Sequence, residues 1–458
     1  MSLSVPKFAS GLQFALANFG TGTPGGNRVS LADVLLPPAM PSAPKSRSST
    51  PGPRTSAAGR ERLRVLLIGE GSTLAHAARP LALAAGLPKD RCQVFLALPE
   101  RYHAWAPKGV EVLPLRAQSP ETFAKRLSSG RPLFSRTRLN AHFDDDIALM
   151  QATGAQVVVG DFRLSLAASA RQAKVPYVAI SNAYWSPDRP LRPLRPTLDR
   201  FRGWPAPLAE LAFRMVLPTA LRWHAEPVDA LLQRHGLEPL GRDIRRTFTE
   251  ADATLYADLP ALFPDVPETP RRRFLGPIVW EPPIPPPHWW EQLPEDKPIA
   301  YLTLGSSGDA RLLTAITGWL TGMGYAVILA TAGRAELYGD DETVFVADFV
   351  PGYAACERAD LVVCNGGSPT TTQALLRGRP VLGICSNMDQ LLNMRAVQAR
   401  GAGHCLRADA LRRGGFEAAV NRLSGFRAMK AAAVLASGHE ATDPAQVLME
   451  TIETLLRT

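Results

Sequence analysis

The sequence predicts a parallel α/β protein with two doubly wound domains that face a central cleft. Short apolar runs alternate with helix-like segments from Glu61 onward, a pattern typical of βαβ units. A proline-rich stretch at 274–298 interrupts this alternation once, and a second α/β series follows it. The length of 458 residues accommodates two or three domains of about 150 residues each.

In the first series, we predict a domain at 61–275. Its predicted strands lie at 63–68, 93–98, 110–115, 156–160 and 177–180, and its predicted helices lie near 76–87, 144–152 and 164–173. The segment 185–235 carries apolar residues that would share one helix face: Leu208, Leu211, Phe213, Met215, Leu217 and Leu221. We favour a core-packing helix for this face; a hydrophobic acceptor pocket or a membrane-skimming face is the alternative.

A linker at 276–297 separates this series from a second domain at 298–442. Strands are predicted at 299–304, 326–330, 344–349, 361–364 and 381–384, and helices near 310–322, from 369 and at 390–400. A C-terminal helix at 443–458 is expected to pack back on the first domain. Ligands of doubly wound sheets bind at the carboxyl ends of the strands. The cleft between the two domains is therefore the expected site.

Composition and charge exclude several classes of protein. No apolar run reaches the roughly 18 residues that a membrane span needs. Lys and Arg exceed Asp and Glu by 51 to 42, a net charge of +9, and residues 1–60 alone carry six basic residues against one acidic residue. Because most of the excess lies in that segment, we expect no nucleic-acid partner. A third glycine is missing after Gly69 and Gly71, and a phosphate-binding P-loop motif is absent, which argues against NAD enzymes and P-loop NTPases.

Residues 1–60 are predicted to form a flexible extension rich in Pro and Ser, since such a composition buries little apolar surface. A transit peptide or a misassigned start is the alternative. The five cysteines form no C-x-x-C pair, which favours buried thiols and a reducing cytoplasm over disulfides or zinc.

The most informative motif begins where the strand at 361–364 ends, in Asn365-Gly366-Gly367-Ser368-Pro369-Thr370. Two glycines let the backbone approach a ligand, and Ser368 is placed to cap a helix whose first turn accepts Pro369. The amides and positive end of such a helix bind anions, phosphate above all. A purely structural turn is the alternative for this motif taken alone.

Several segments together resemble the donor-binding signature of inverting family 1 glycosyltransferases, the UDP-glycosyltransferase superfamily. These enzymes have the GT-B fold of two Rossmann-like domains. The segments are YLTLGSSG at 301–308, DFVP at 348–351, ADLVVCNGGS at 359–368, GRPVL at 378–382 and the pair Asp389-Gln390.

The resemblance implies a role for each residue of these motifs. Phe349 would stack on the nucleobase, and the backbone of Val350 would pair with its edge. The diphosphate would lie against Asn365, Gly366, Gly367, Ser368 and Thr370, with Ser306 and Ser307 also at the donor. Gln373 would meet the ribose, and Asp389 with Gln390 would hold sugar hydroxyls, which paired acid and amide groups suit chemically.

Three positions depart from the family pattern. Asn365 replaces the histidine before Gly-Gly, Gln373 replaces the glutamate at the ribose, and Gly352 replaces the glutamine after Val-Pro. These departures bear on donor identity, so a UDP-linked and a dTDP-linked sugar both stay open.

For the chemical step, the resemblance places a catalytic histidine in the turn after the first strand, which indicates His76. It also indicates Asp161, at the end of the strand at 156–160. An imidazole held by a carboxylate on one nitrogen serves as a general base at the other. A structural histidine and a helix-capping aspartate are the alternatives. We interpret Asp144-Asp145-Asp146 as an acidic helix start rather than a metal site.

We therefore expect a cytoplasmic, metal-independent inverting glycosyltransferase that moves a hexose to a hydroxyl of an apolar small molecule or lipid. Inversion is favoured because no Glu lies between Arg358 and Arg400, whereas retaining enzymes carry a pair there. The nucleotide sugar is the co-substrate, and no further cofactor is expected. Peripheral membrane contact is an additional expectation. A non-catalytic sugar-nucleotide-binding protein and a nucleotide-sugar epimerase are the alternatives.

Overall fold

The structure, a computed structural model, describes residues 62–457 except 193, 199, 200, 202, 341 and 439–442. The predicted extension at 1–60 lies outside the described residues.

The N-terminal half contains seven strands and six α-helices among the described residues. The strands are β1 (Leu63–Gly69), β2 (Cys92–Leu98), β3 (Glu111–Pro114), β4 (Val157–Asp161), β5 (Tyr177–Ser181), β6 (Ala253–Tyr256) and β7 (Arg272–Phe274). The helices are α1 (Ala75–Gly86), α2 (Pro120–Ser128), α3 (Arg136–Thr153), α4 (Leu166–Ala173), α5 (Ala206–Arg234) and α6 (Ile244–Thr249). Short 3₁₀ turns lie at Glu100–Trp105, Ala183–Trp185 and Pro260–Leu262.

The C-terminal half repeats this plan. Its strands are β8 (Ile299–Thr303), β9 (Ala326–Ala330), β10 (Val344–Ala347), β11 (Leu361–Cys364), β12 (Val381–Cys385) and β13 (Gly403–Arg407). Its helices are α7 (Leu313–Gly322), α8 (Gly352–Arg358), α9 (Ser368–Leu376), α10 (Met388–Ala399), α11 (Arg413–Leu423), α12 (Phe426–Ser437) and α13 (Pro444–Arg457). Single 3₁₀ turns lie at Trp290–Gln292, Ala310–Leu312 and Ala408–Ala410.

Both sheets are parallel throughout, with strand orders β3-β2-β1-β4-β5-β6-β7 and β10-β9-β8-β11-β12-β13. Helices cover both faces, so the central strands are continuous apolar runs; Val65 to Ile68 are fully buried. In each sheet the strand order reverses between two central strands, β1 and β4 in one and β8 and β11 in the other. Turns at such a switch point diverge and leave a crevice at the carboxyl edge. The predicted fold class is confirmed.

Two devices join the halves. Trp289 and Trp290, in the segment between the sheets, are buried in a core shared by both halves, and the Trp289 indole donates to the Val346 carbonyl at 3.0 Å. The final helix, α13, returns to the first sheet, where Leu448, Met449 and Ile452 pack into the core around α1 and β2. Helix α13 therefore follows the C-terminal half in sequence but packs against the N-terminal half.

Two predictions about helices are wrong. Helix α3 begins at Arg136, because Ser135 caps it by accepting a hydrogen bond from the Arg138 amide at 3.2 Å. Asp144-Asp145-Asp146 therefore lie in the middle of that helix rather than at its start.

The second error concerns α5. The C-terminal part of α5 packs into the core through residues such as Val228, Leu231 and Leu232. In its N-terminal part only Ala209 and Phe213 are buried, while Leu208, Leu211 and Met215 on the other side are exposed. Core packing therefore does not account for these three residues.

Strands β6, β7 and β13 were not predicted, since runs of three to five residues with few β-branched side chains give a weak periodic signal.

Candidate active site

His76 and Asp161 meet at the carboxyl edge of the first sheet, on the two sides of its switch point. His76 lies at the start of α1, after β1, and Asp161 is the last residue of β4. The His76 Nδ1 atom lies 2.8 Å from Asp161 Oδ1, and the carboxylate is buried while the imidazole is 18% exposed. Because Nδ1 donates to the carboxylate, Nε2 is left as the basic atom. This geometry suits a general base that a solvent-facing hydroxyl can reach.

Phe162 fixes the plane of this imidazole. Its ring stacks on that of His76 with centroids 4.2 Å apart and planes 8° from parallel. Phe162 has a φ of 59°, a left-handed conformation that a bulky residue rarely adopts. Such backbone strain persists where the surrounding structure imposes it, commonly at active sites.

A buried polar network extends from the carboxylate toward the other half. Arg79 donates to Asp161 Oδ2 at 3.4 Å and to Asn182 Oδ1 at 2.9 Å. Asn182 in turn donates to Asp258 Oδ1 at 2.9 Å, and the Ala183 amide donates to the second oxygen of that carboxylate. Burial raises the pKa of Asp258 to about 6, against the lowering effect of these donors.

The same network crosses the cleft at the first turn of α9. The Asn182 amide nitrogen donates to Ser368 Oγ at 3.3 Å. The prediction that Ser368 caps this helix is wrong: Gly367 is the capping residue, and the Ser368 side chain is used across the cleft instead. A second crossing contact joins the Trp185 indole to Asp389 Oδ1 at 3.0 Å. The His76–Asp161 pair and the predicted phosphate-binding helix thus belong to one hydrogen-bonded unit.

The Gly-Gly turn before α9 is as tight as its sequence predicts. Gly366 has a φ of +80°, and a Cβ there would lie 2.6 Å from both Cys385 Sγ and Met394 Cγ. Asn365 Oδ1 accepts the Gly367 amide at 2.9 Å, so Asn365 shapes the turn. The amides of a helix's first turn have no partner within the helix, which leaves those of Ser368 and Thr370 available for an anion.

Replacing Gly366 with alanine is expected to weaken nucleoside diphosphate binding at least about tenfold, because the methyl group would push the turn away from Cys385 and Met394. Titration calorimetry with TDP and UDP measures the loss. Gly236→Ala is the matched control, since Gly236 also has a positive φ, +69°, but no atom lies within 4 Å of its added Cβ. Equal affinities for the two variants would contradict a phosphate-binding role for the turn.

Ser307 is the point where three donor-side segments meet. Its Oγ accepts hydrogen bonds from Asn365 Nδ2 at 3.1 Å and from Gln390 Nε2 at 3.2 Å. A hydroxyl that accepts twice keeps its own proton to donate, here toward an acceptor such as a phosphate oxygen. Ser306 beside it is exposed.

Gln390 is used differently from what the resemblance implies. Its side chain is buried and forms a capping box with Asn387 at the start of α10, while its oxygen accepts the Ser386 amide at 2.8 Å. In this arrangement Gln390 positions the turn, and the neighbouring Asp389 is exposed. Contact of either residue with sugar hydroxyls stays a prediction.

The predicted nucleoside-binding residues follow β10 and lie along α9. Phe349 is 41% exposed, as a stacking platform requires, whereas Val350 is buried. Gly352 and Gln373, two of the three positions that depart from the family pattern, are neighbours: a Cβ added to Gly352 would lie 2.8 Å from Gln373 Oε1. Gln373 therefore occupies the space that a side chain at 352 would need.

The sequence analysis assigned no role to Arg79, Phe162, Asn182, Trp185 or Asp258. One signal was available, since Asn182 follows β5 directly and Asp258 follows β6 by two residues, both at the carboxyl edge. Among the described residues, no group of three or more His, Cys, Asp or Glu side chains is arranged to hold a metal ion.

Comparisons with known proteins show the family to which the chain belongs. Residues 326–455 match the family model described as "Erythromycin biosynthesis protein CIII-like, C-terminal domain". Over 377 residues, covering 82% of this chain and 88% of the relative, the chain is 42% identical to a PGL/p-HBAD biosynthesis glycosyltransferase of Mycobacterium tuberculosis (strain ATCC 25177 / H37Ra). It is 41% identical to a PGL/p-HBAD biosynthesis rhamnosyltransferase of Mycobacterium bovis (strain BCG / Pasteur 1173P2) over 370 residues, 80% of this chain and 81% of the relative.

Among solved structures, the glycosyltransferase VinC in complex with DTDP superposes with a TM-score of 0.59 at 18% identity. The match covers 86% of this chain and all of that one, and at this identity it shows the shared fold.

Fold and site together define a GT-B enzyme that transfers a sugar. The chain belongs to the family 1 glycosyltransferases, with the PGL/p-HBAD biosynthesis glycosyltransferases as its relatives.

Proposed function

We propose that this glycosyltransferase transfers a deoxyhexose or hexose from a dTDP-linked donor to a hydroxyl of an apolar small-molecule or lipid acceptor, with inversion of configuration at C1 of the sugar. The observation that carries the proposal is the pairing of the His76–Asp161 dyad on one sheet with the Gly-Gly turn and α9 on the other, joined through Asn182 and Ser368. The nucleotide sugar is the co-substrate, and the proposed reaction uses neither a metal nor a further cofactor.

The proposed step is a single in-line displacement at C1 of the sugar. The acceptor oxygen forms a bond to C1 while its proton passes to His76 Nε2, and Asp161 stabilises the imidazolium that results. The bond between C1 and the phosphate oxygen breaks, and its electron pair leaves with the nucleoside diphosphate. The amides at the start of α9 and the Ser307 hydroxyl stabilise that developing charge.

A dTDP-linked donor is favoured by the ribose side of the site. Gln373 lacks the ionic acceptor that a glutamate offers to ribose hydroxyls, and Gly352 brings no side chain to add one. A 2′-deoxyribose has one hydroxyl fewer to satisfy. The complex of VinC with DTDP and the rhamnosyltransferase name of one relative agree with this choice.

Donor preference provides the direct test. We expect TDP to bind at least about tenfold more tightly than UDP, and Gln373→Glu to narrow that ratio by restoring an acceptor for the 2′-hydroxyl of UDP. Calorimetric titration of both nucleotides measures the ratio. Transfer from dTDP- and UDP-linked sugars to a panel of hydroxylated apolar acceptors, detected by mass, checks it in turnover. A preference for UDP would overturn the donor assignment, and transfer with neither donor would overturn the function.

The acceptor side is formed by the first sheet and the segment after β5. The relatives' names place them in PGL/p-HBAD biosynthesis. We propose an acceptor of the kind that such relatives glycosylate, with its hydroxyl directed at His76 Nε2. Within the described residues, no helix is long and apolar enough to cross a bilayer.

A further inference from the structure

Helix α5 and the residue two positions before it present an exposed apolar ridge, defined as Trp204, Leu208, Leu211 and Met215. Their exposed fractions run from 51% for Trp204 to 74% for Met215. Spacings of three and four residues put Leu208, Leu211 and Met215 on one side of the helix. The opposite side, Ala209 and Phe213, is buried. Trp223, further along the helix, is 46% exposed.

The ridge lies in the most basic part of the sequence after residue 60. Residues 189–223 contain seven arginines and two acidic residues, a net charge of +5. Residues 61–458 carry only +4 in total, so everything outside this segment sums to −1. Arg214 and Arg222 are exposed on α5 itself. Arg189 pairs with Asp265 and Arg195 is buried against Asp409, so these two add little to the surface charge. On α5, the exposed positive charge beside the apolar side chains is that of Arg214, which pairs with Glu210, and of Arg222.

This combination fits a lipid surface better than a protein partner. A stable protein interface uses about 20–30 residues on each side, far more than this ridge offers. Interfacial insertion needs only a few apolar side chains beside cationic ones, with tryptophan at the headgroup level. Basic residues add attraction to anionic headgroups.

The ridge also lies close along the chain to the acceptor side of the cleft. Trp185, whose indole donates to Asp389, is 19 residues before Trp204. Between them the chain touches the donor half, where the Thr197 amide donates to the Ser386 carbonyl at 2.7 Å. The ridge is thus on the same stretch of chain that contributes Trp185 and Thr197 to contacts with the donor half.

We propose that the ridge docks the protein on an anionic lipid bilayer, inserting its apolar side chains at the headgroup level. The proposal concerns binding and does not depend on the sugar that the enzyme transfers. It predicts reversible, salt-sensitive association that requires both the ridge and anionic lipid.

Vesicle co-sedimentation of the full chain tests it, with phosphatidylcholine vesicles that contain or lack phosphatidylglycerol. We expect binding to the anionic vesicles, and a loss of about 100-fold or more in the triple variant Leu208→Ser/Leu211→Ser/Met215→Ser. Phe426→Ser/Val434→Ser is the matched control, since both side chains are exposed on α12 of the donor half. We expect this control to bind the anionic vesicles as strongly as the wild type does. We also expect both the control and the triple variant to bind TDP with wild-type affinity.

Binding by the triple variant at wild-type strength would overturn the proposal, as would absence of binding by the wild type. The ridge could instead bind a second copy of the chain, and light scattering, which measures the oligomeric state, tests this alternative. A wild-type dimer that dissociates in the triple variant would assign the ridge to self-association and overturn the lipid assignment. Because nucleotide affinity is read separately, failure of membrane docking is distinguishable from failure of the transferase proposal.

Discussion

Replacing His76 with alanine is expected to lower kcat about 10²- to 10⁴-fold, the usual contribution of a positioned general base. The imidazole is held through Nδ1 by Asp161 and in plane by Phe162, so Nε2 is the basic atom at the cleft. Without it, the acceptor hydroxyl would have to lose its proton to water. Steady-state transfer at saturating donor and acceptor, with product detected by mass, measures the loss.

Two further measurements separate catalysis from structure. TDP affinity should stay within about twofold of the wild type in His76→Ala, because the donor site lies on the other sheet. Asp161→Asn should lower kcat by at least about 10²-fold, since an amide can donate to Nδ1 and leave Nε2 protonated. His404→Ala, in β13, is the control substitution and should leave kcat unchanged. Near-full activity of His76→Ala with intact TDP binding would refute the general-base assignment.

Local sequence predicted much of the donor side because that side is built from contiguous motifs. Asn365 to Thr370 read directly as a strand, a tight turn and a helix start, and Gly366 has the left-handed φ that such a turn needs. His76 and Asp161 are 85 residues apart, yet His76 follows β1 and Asp161 ends β4, the two strands that flank a switch point. The doubly wound topology alone brings such turns together.

The contacts that the sequence could not predict join segments through the third dimension. Asn182, which follows β5, bridges Arg79 in α1, Asp258 after β6 and Ser368 in α9, so four segments distant in the sequence meet here. Nothing in the spacing of these residues specifies that they meet, because the meeting depends on how the two sheets pack. The same limit explains Ser368: its local sequence favours a cap, but a partner across the cleft takes its hydroxyl.

Asp146 shows how a local pattern can mislead. It lies in α3 facing inward, and its carboxylate accepts hydrogen bonds from Arg163 Nε at 2.8 Å and from the hydroxyls of Ser165 and Ser169 at 2.6 and 3.1 Å. Arg163 also donates to Glu70 at 2.8 Å, and all three charged groups are fully buried. Burial raises the pKa of Glu70 and of Asp146, while the positive charge of Arg163 lowers it.

Asp146→Ala is therefore expected to lower the free energy of unfolding by about 3–5 kcal/mol, the range for removing one partner of a buried ion pair. The loss arises because Arg163 Nε and the Ser165 hydroxyl are left without their acceptor, whereas the Ser169 hydroxyl keeps the Ser165 carbonyl. His142 cannot replace the lost negative charge, because an imidazole is never anionic; burial and the nearby Arg163 lower its pKa to about 2 and keep it neutral. Denaturation followed by tryptophan fluorescence measures the change. Asp144→Ala, exposed and two residues earlier in α3, is the control and should stay within about 0.5 kcal/mol.

The cluster also connects stability to catalysis. Glu70 directly follows β1 and Arg163 lies two residues after β4, so their ion pair ties together the turns that carry His76 and Asp161. Below its unfolding transition, Asp146→Ala should lose transfer activity while TDP affinity holds, because the nucleotide site is on the other sheet. The triple variant Glu70→Gln/Asp146→Ala/Arg163→Met should recover part of the lost stability, since no charge of the cluster is then left buried without its partner. If Asp146→Ala were no less stable than Asp144→Ala, the cluster would not be what holds the two catalytic turns together.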